Sequence, residues 1–267
     1  MSNPRPVNGR IVWHDLMTTD AKASLAFFTE LIGWKTKDVD MGPMGNYTIF
    51  SAAGKDVGGL MPLDKSHGAP SHFITYFHVE NLDKTLETAK RLGGNVAVPP
   101  TPIPGVGTFA VLIDPQGGVT SPMTLSDVPP EDADIPKQGM FCWEELMSTD
   151  PEASVKFYKE VYGFGSEAVD MGPMGTYTLL KRGDMNLCGI MKQPPDAPQM
   201  THWLSYIAAD DVDATTERAE KLGGQVFVKP MDIPNIGRFS VIQDPAGTVF
   251  ALFNGMEHIN AKQQAAG

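Results

Sequence analysis

The chain has 267 residues, with 21 basic against 32 acidic side chains, a net charge of −11, 42% hydrophobic and 20% charged residues. That balance describes a folded globular chain, and with no lysine- or arginine-rich run it argues against nucleic-acid or anionic-membrane partners. Residues 1–10 lack the apolar core of a signal peptide, and no apolar run approaches the roughly 20 residues that cross a bilayer, so a cytoplasmic location is expected.

After a polar lead-in, residues 10–17 read as a strand with Ile11, Trp13, Asp15 and Met17 on one face and Val12, His14 and Leu16 on the other. Asp20 is suited to cap a helix over about 21–32, and Gly33 to stop it. Three strands are expected over 35–41, 46–52 and 57–63, then a loop and a fifth strand over 72–79. The pattern restarts with a cap at Asn81, a helix to Leu92, a Gly-Gly stop, and strands near 95–98, 108–113 and 119–125.

The same text then returns 130 residues later. The heptapeptide VDMGPMG from Val39 to Gly45 recurs from Val169 to Gly175, Leu92-Gly-Gly as Leu222-Gly-Gly, Asp114-Pro as Asp244-Pro, and His72 as His202. A repeat this long marks two copies of one fold, placed at 8–125 and 138–255 with a proline- and acid-rich linker at 126–137. Cys142 and Cys188 align with Val12 and Gly58, so they are expected as small apolar residues rather than a disulfide or catalytic thiol.

Four β-α-β-β-β modules, with the Asp20 helix running into Leu-Ile-Gly-Trp34, the Leu92-Gly-Gly stop and Asp114-Pro-Gln-Gly117, resemble the vicinal-oxygen-chelate superfamily. That group includes glyoxalase I, extradiol dioxygenases and the bleomycin- and fosfomycin-resistance proteins. The resemblance implies an α+β fold of two tandem glyoxalase-like domains, each a pair of βαβββ modules forming a curved, cup-shaped mixed sheet with its ligand on the inner face. It also implies metal ligands on the first, fourth, fifth and eighth strands. Those positions fall on Trp13 and Trp143, on fourth strands without imidazole or carboxylate, on Ile74 and Leu204, and on Ser121 and Ala251. Such side chains give a divalent ion no imidazole, carboxylate or thiolate, so neither a metal nor another cofactor is expected. A register shifted by one residue would instead present His14 and Glu144. His72 and His202 either anchor the loops before their strands or belong to a rebuilt metal site.

The inner face then offers Asp15 and Glu145 on the first strands, Tyr76 and Tyr206 beside His72 and His202 on the fifth, and Tyr47 and Tyr177 after the repeated hairpin. Met44 and Met174 at the hairpin tips suggest flaps that close over apolar ligands, or turns that merely satisfy geometry. A carboxylate beside Trp and Tyr in a partly dry cavity has a raised pKa and can act as general base or acid; alternatively the two acids bind backbone N–H groups or an arginine. The expected role is binding, and conversion without a metal, of a small aromatic or carbonyl-containing metabolite. A metal-dependent lyase of the lactoylglutathione lyase type, a dioxygenase, and a non-catalytic sequestering protein of the resistance type are the alternatives. A monomer or homodimer is expected.

Overall fold

The computed structural model describes residues 7–42, 45–64, 66, 68–128, 135–172, 175–197 and 199–255. The first copy runs β1 (Ile11–Thr18), α1 (Ala21–Ile32), β2 (Lys35–Asp40), β3 (Asn46–Ala52), β4 (Lys55–Pro62), β5 (His72–His78), α2 (Leu82–Arg91), β6 (Asn95–Ile103), β7 (Gly107–Ile113) and β8 (Val119–Leu125). The second repeats it as β9 (Phe141–Ser148), α3 (Pro151–Tyr162), β10 (Gly165–Asp170), β11 (Thr176–Arg182), β12 (Met185–Lys192), β13 (His202–Ala208), α4 (Val212–Lys221), β14 (Gln225–Ile233), β15 (Gly237–Gln243) and β16 (Val249–Gly255). These form two mixed eight-stranded sheets, ordered β2-β3-β4-β1-β5-β8-β7-β6 and β10-β11-β12-β9-β13-β16-β15-β14. The fold is α+β, and the two copies repeat one order of strands and helices. No helix among the described residues is long and apolar enough to cross a membrane.

Local chemistry places the helices. The side chains of Asp20, Asn81, Asp150 and Asp211 each accept from the backbone N–H three residues on, at 2.9–3.1 Å, which satisfies a donor that the first turn leaves unpaired. Gly33 and Gly163 close α1 and α3 in the left-handed conformation, at φ 76° and 75°. One strand runs further than its residues suggest. β6 continues through Pro99 and Pro100 to Ile103, where the sequence points to an end at Val98. It is the outermost strand of its sheet, so a proline can turn its missing N–H outward, and Pro99 and Pro100 fall where its register against β7 shifts between Val98 and Thr101.

Sequence copy and compact unit are different divisions of the chain. One unit contains the chain as far as Trp13, the module beginning at Ile74, and Glu144–Leu204. The other contains His14–Phe73, the segment ending at Trp143, and the module beginning at Ser205. Each therefore combines one module from each copy. In the first, Phe77, Leu86 and Leu112 pack with Leu146, Phe157, Tyr158 and Ile190. In the second, Leu16, Phe28, Trp34 and Phe50 pack with Ile207, Ile242 and Phe250.

A buried carboxylate ties the two modules in each unit. Asp114 Oδ1 accepts from the N–H groups of Gln116 and Gly118, both at 2.8 Å, and Oδ2 accepts from the Tyr158 hydroxyl on α3 at 2.8 Å. Asp244 accepts from Ala246 and Thr248 at 3.0 and 2.6 Å, and from Ser24 on α1 at 2.7 Å. The copies differ in a coordinated way. A Cβ on Gly118 would lie 2.6 Å from Asp114 Oδ2 and 3.0 Å from the Tyr158 oxygen. At the equivalent positions the sequence has Thr248 in the second copy's turn and Phe28 on α1, so the phenol that needs the space is gone. Tyr158 also accepts from Trp203 Nε1 at 3.1 Å.

Burial holds the Asp114 carboxyl above the usual carboxylate range, against the opposing pull of the Tyr158 hydroxyl and the backbone N–H groups. A folded-state pKa above the unfolded value means the contribution of Asp114 to stability declines as pH rises from about 4 through the folded value. The Tyr158 bond limits that decline, because it favours the charged form. Tyr158→Phe is therefore expected to lower the unfolding free energy by about 1–3 kcal/mol at pH 7, with a smaller loss at pH 4. Urea unfolding at the two pH values checks this; equal losses at both would show that the bond does not act on the ionised carboxylate.

Candidate functional site

The first strands carry the sequence-predicted acids, and the neighbouring strands determine what each acid meets. In the strand order β3-β4-β1, Gly59 is the Cα partner of both Ile49 on β3 and Asp15 on β1. Tyr47, two residues before Ile49, projects from the same face. Its ring crosses over Gly59 and its hydroxyl donates to Asp15 Oδ1. A Cβ on Gly59 would lie 2.1 Å from the ring carbon and oxygen of that phenol. The second copy builds the same arrangement in the other unit. Gly189 pairs with Leu179 and with Glu145, and the Tyr177 hydroxyl crosses it to donate to Glu145 Oε2 at 2.8 Å. A Cβ on Gly189 would lie 1.9 Å from the Tyr177 oxygen. In both pairs the acid is shielded, Asp15 at 4% and Glu145 at 7% exposure, while the tyrosine is half-buried.

Strand alternation puts the residues on either side of these acids onto the opposite face, among the helix-packed cores. His14 stacks on Phe141 at 3.7 Å with rings 12° apart. Glu144, fully buried, accepts from Thr75 Oγ1 at 2.9 Å. Beside it lies the buried Cys188, whose thiol is pushed well above its ordinary value by burial and then by the Glu144 charge. Leu16 and Leu146 follow on the same faces in the two cores. His14 and Glu144 thus belong to the packed faces, and a one-residue shift does not bring them to the side that carries Asp15 and Glu145.

The other predicted residues divide. His72 Nδ1 lies 2.7 Å from the Pro70 carbonyl oxygen and His202 Nδ1 lies 3.0 Å from that of Met200. A carbonyl only accepts, so Nδ1 carries the proton in each, and the rings hold the turns before their strands. Burial, partly offset by the bond to Pro70, keeps the His72 imidazole below its ordinary pKa. Tyr76 is buried against Phe109 at 5.9 Å, and Tyr206 against Phe239 and Phe253 at 6.4 and 6.3 Å. Trp13 and Trp143 are half-buried. Trp13 and Tyr76 fall in the compact unit that contains Glu145 and Tyr177; Trp143 and Tyr206 fall in the one that contains Asp15 and Tyr47. Met44 and Met174, and with them the flap expectation, lie outside the described residues. Met41 and Met171 open the hairpins, their N–H groups donating to Gly45 and Gly175 at 2.9 Å.

Among the described residues no three His, Cys, Asp or Glu side chains come together as a metal-holding group. At the positions where the family places ligands stand indoles, aliphatic side chains and Ser121, whose hydroxyl donates to the Ala110 carbonyl at 2.8 Å. That donor set does not fit a divalent ion.

What residue patterns left unseen is the part played by Gly59 and Gly189. The signal was present: one glycine in the middle of a strand, repeated in both copies, marks a close approach of something across it. If the tyrosine is that approach, Gly59→Ala should cost about 1–3 kcal/mol in the native chain, as overpacking does, and almost nothing in a Tyr47→Ala background. Urea unfolding of the four chains in that cycle checks it, and equal costs in both backgrounds would remove the ring from the account.

Comparison with known proteins agrees with this architecture. The family model described as Glyoxalase/Bleomycin resistance protein/Dioxygenase superfamily matches residues 10–120 and 143–252. The chain is 32% identical over 244 residues to "Putative glyoxylase CFP32" of Mycobacterium bovis, covering 90% of this chain and 92% of that one. It is 30% identical over 266 residues to "Anthracycline biosynthesis protein DnrV" of Streptomyces peucetius, covering 91% and 92%. In fold it is similar to a Mn(II)-bound glyoxalase from Novosphingobium aromaticivorans, with TM-score 0.62 at 19% identity over 93% of this chain and 82% of that one. Two matched segments, each reproducing the strand and helix order described above, decide the assignment: the chain belongs to the Glyoxalase/Bleomycin resistance protein/Dioxygenase superfamily.

Proposed function

We propose that the chain binds a small aromatic or carbonyl-containing molecule at each tyrosine–carboxylate pair and moves a proton on it without a metal. The observation that carries this reading is the pair itself. The same phenol crosses the same glycine to the same acid position in both copies, although the acid is Asp15 in one and Glu145 in the other. A bond kept through a change of side-chain length supports a role for the acid–phenol pairing over one for either residue's shape. A shielded carboxylate bonded to a phenol can take up a proton and return it, the task of a general base and acid.

Support for the metal-free part of the reading comes from the donor set, which offers no imidazole or thiolate where the family places ligands. The proposed roles are Asp15 and Glu145 as proton acceptors, Tyr47 and Tyr177 as the groups beside them, and Trp13, Trp143, Tyr76 and Tyr206 as apolar walls for the ligand. His72 and His202 are proposed as supports for the turns at the edge of each site, bonded as they are to Pro70 and Met200.

The adduct of phenylglyoxal with glutathione, an aromatic carbonyl compound with a transferable proton, is a suitable assay substrate. Turnover is expected to persist in excess EDTA and to fall about 10²–10⁴-fold in the double variant Asp15→Asn, Glu145→Gln, with melting temperature nearly unchanged. Activity that appears only after adding Mn(II) or Fe(II) would favour a metal-dependent lyase instead. Binding without product would favour a sequestering protein.

A further inference from the structure

The face on which two modules of a unit meet is written differently in the two copies, and the differences are matched. Ser24 and Phe28 stand one turn apart on α1, and Ser154 and Tyr158 hold the same places on α3. In one unit the Asp114 carboxylate takes the phenol, Tyr158 donating to Oδ2 at 2.8 Å. Ser154 there bonds Ser148 at 2.7 Å and donates to Gln116 Oε1 at 3.4 Å instead. In the other unit no phenol is present, and Ser24 donates to Asp244 Oδ2 at 2.7 Å.

The residue after the turn tracks that choice. A Cβ at Gly118 would lie 2.6 Å from Asp114 Oδ2 and 3.0 Å from the phenol oxygen. Neither atom gives way cheaply: two backbone N–H groups hold the carboxylate, and Trp203 Nε1 donates to the phenol at 3.1 Å. Thr248, fully buried, carries a Cβ at the same place where the helix supplies Phe28. We infer that these four positions are a pairing code: Gly118 admits Tyr158, Thr248 admits Phe28, and each module thereby accepts the other copy and refuses the same copy of a second chain.

The surrounding contacts do not make that distinction. The exposed pairs Arg91–Glu160 and Arg218–Glu30 each end on the same position of α3 or α1, so either helix brings its glutamate to either partner. The buried positions discriminate. Second copies of two chains meeting each other would bring Thr248 against Tyr158, the approach that the Cβ distances at Gly118 forbid. First copies meeting each other would set Gly118 opposite Phe28 and leave the space of a side chain and a hydroxyl unfilled. Because first copies can pair together only if second copies do the same, the one clash guards both.

Substitutions in the full chain reproduce these contacts within one unit. Gly118→Thr sets a threonine against Tyr158, and Phe28→Tyr sets a phenol against Thr248. Each mismatch is expected to raise the urea-unfolding equilibrium constant about tenfold or more. Tyr158→Phe should reverse most of the first loss, and Thr248→Gly part of the second, since glycine itself loosens a turn. In Gly118→Thr, Tyr158→Phe the Asp114 carboxylate should turn to Ser154 as Asp244 does to Ser24. Ser154→Ala should then cost more in that chain than in the native one, a transfer that simple crowding does not produce. That rematched chain also carries the second-copy code in both units, so refolding at high concentration should shift it toward two-chain species relative to the native chain, as read by light scattering.

Additive losses without rescue would overturn the code. If Gly118→Thr does not fold, folding of the rematched chain supports the inference and failure of both overturns it. A rematched chain that folds but forms no more two-chain species than the native one would overturn the refusal of like copies.

Discussion

One buried carboxylate ties the modules of each compact unit together, and the organisation of the chain follows from where the two reach. Asp114 and Asp244 sit in Asp-Pro turns just before the last strand of each copy, where their own backbone N–H groups occupy one oxygen. The second oxygen goes to a helix of the other copy, Tyr158 on α3 or Ser24 on α1. A carboxylate taken out of water is costly unless its lone pairs are filled, so the pairing of modules is tied to these bonds. The aromatic cores form on the same terms, Phe28 with Phe250 in one unit and Phe77 with Tyr162 in the other. Duplication has thus given a chain in which neither copy supplies a complete unit from its own modules alone.

The candidate site uses the opposite faces of the first strands. One side of β1 contributes Leu16 to a core and the other contributes Asp15 to Tyr47. On β9 the corresponding residues are Leu146 and Glu145. The two-residue period of a strand separates scaffold from chemistry at adjacent positions, which is why a one-residue change of register changes the whole candidate list. The copies have diverged where the packed face permits it, His14 against Glu144 and Gly58 against Cys188. They have stayed alike in the tyrosine and the glycine it crosses.

How much of this was legible in the residues depends on distance along the chain. The caps at Asp20, Asn81, Asp150 and Asp211 were readable because an N-cap bond spans three residues. The Asp114-Pro turn was readable as a turn, but its partner Tyr158 lies 44 residues away and that of Asp244 lies 220 residues away. Nothing in local periodicity names such partners. The same limit applied to the site: Asp15, Tyr47, Glu145 and Tyr177 were each identified, yet their pairing spans 32 residues and is decided by strand order. For His72 and His202 the residues left loop anchoring and metal ligation both open, and the bonds to Pro70 and Met200 correspond to the first. The extension of β6 past Pro99, Pro100 and Pro102 needed knowledge that it lies at a sheet edge, which is a property of the assembled sheet.

The central claim is that a tyrosine proton is committed to a shielded carboxylate in both copies, and neutron diffraction from a deuterated crystal reads that proton directly. The account predicts a deuteron on Tyr47 Oη directed at Asp15 Oδ1, another on Tyr177 Oη directed at Glu145 Oε2, and none on either carboxylate. A deuteron on the carboxyl oxygens directed at the phenols, or phenol O–D groups turned away from the acids, would contradict it.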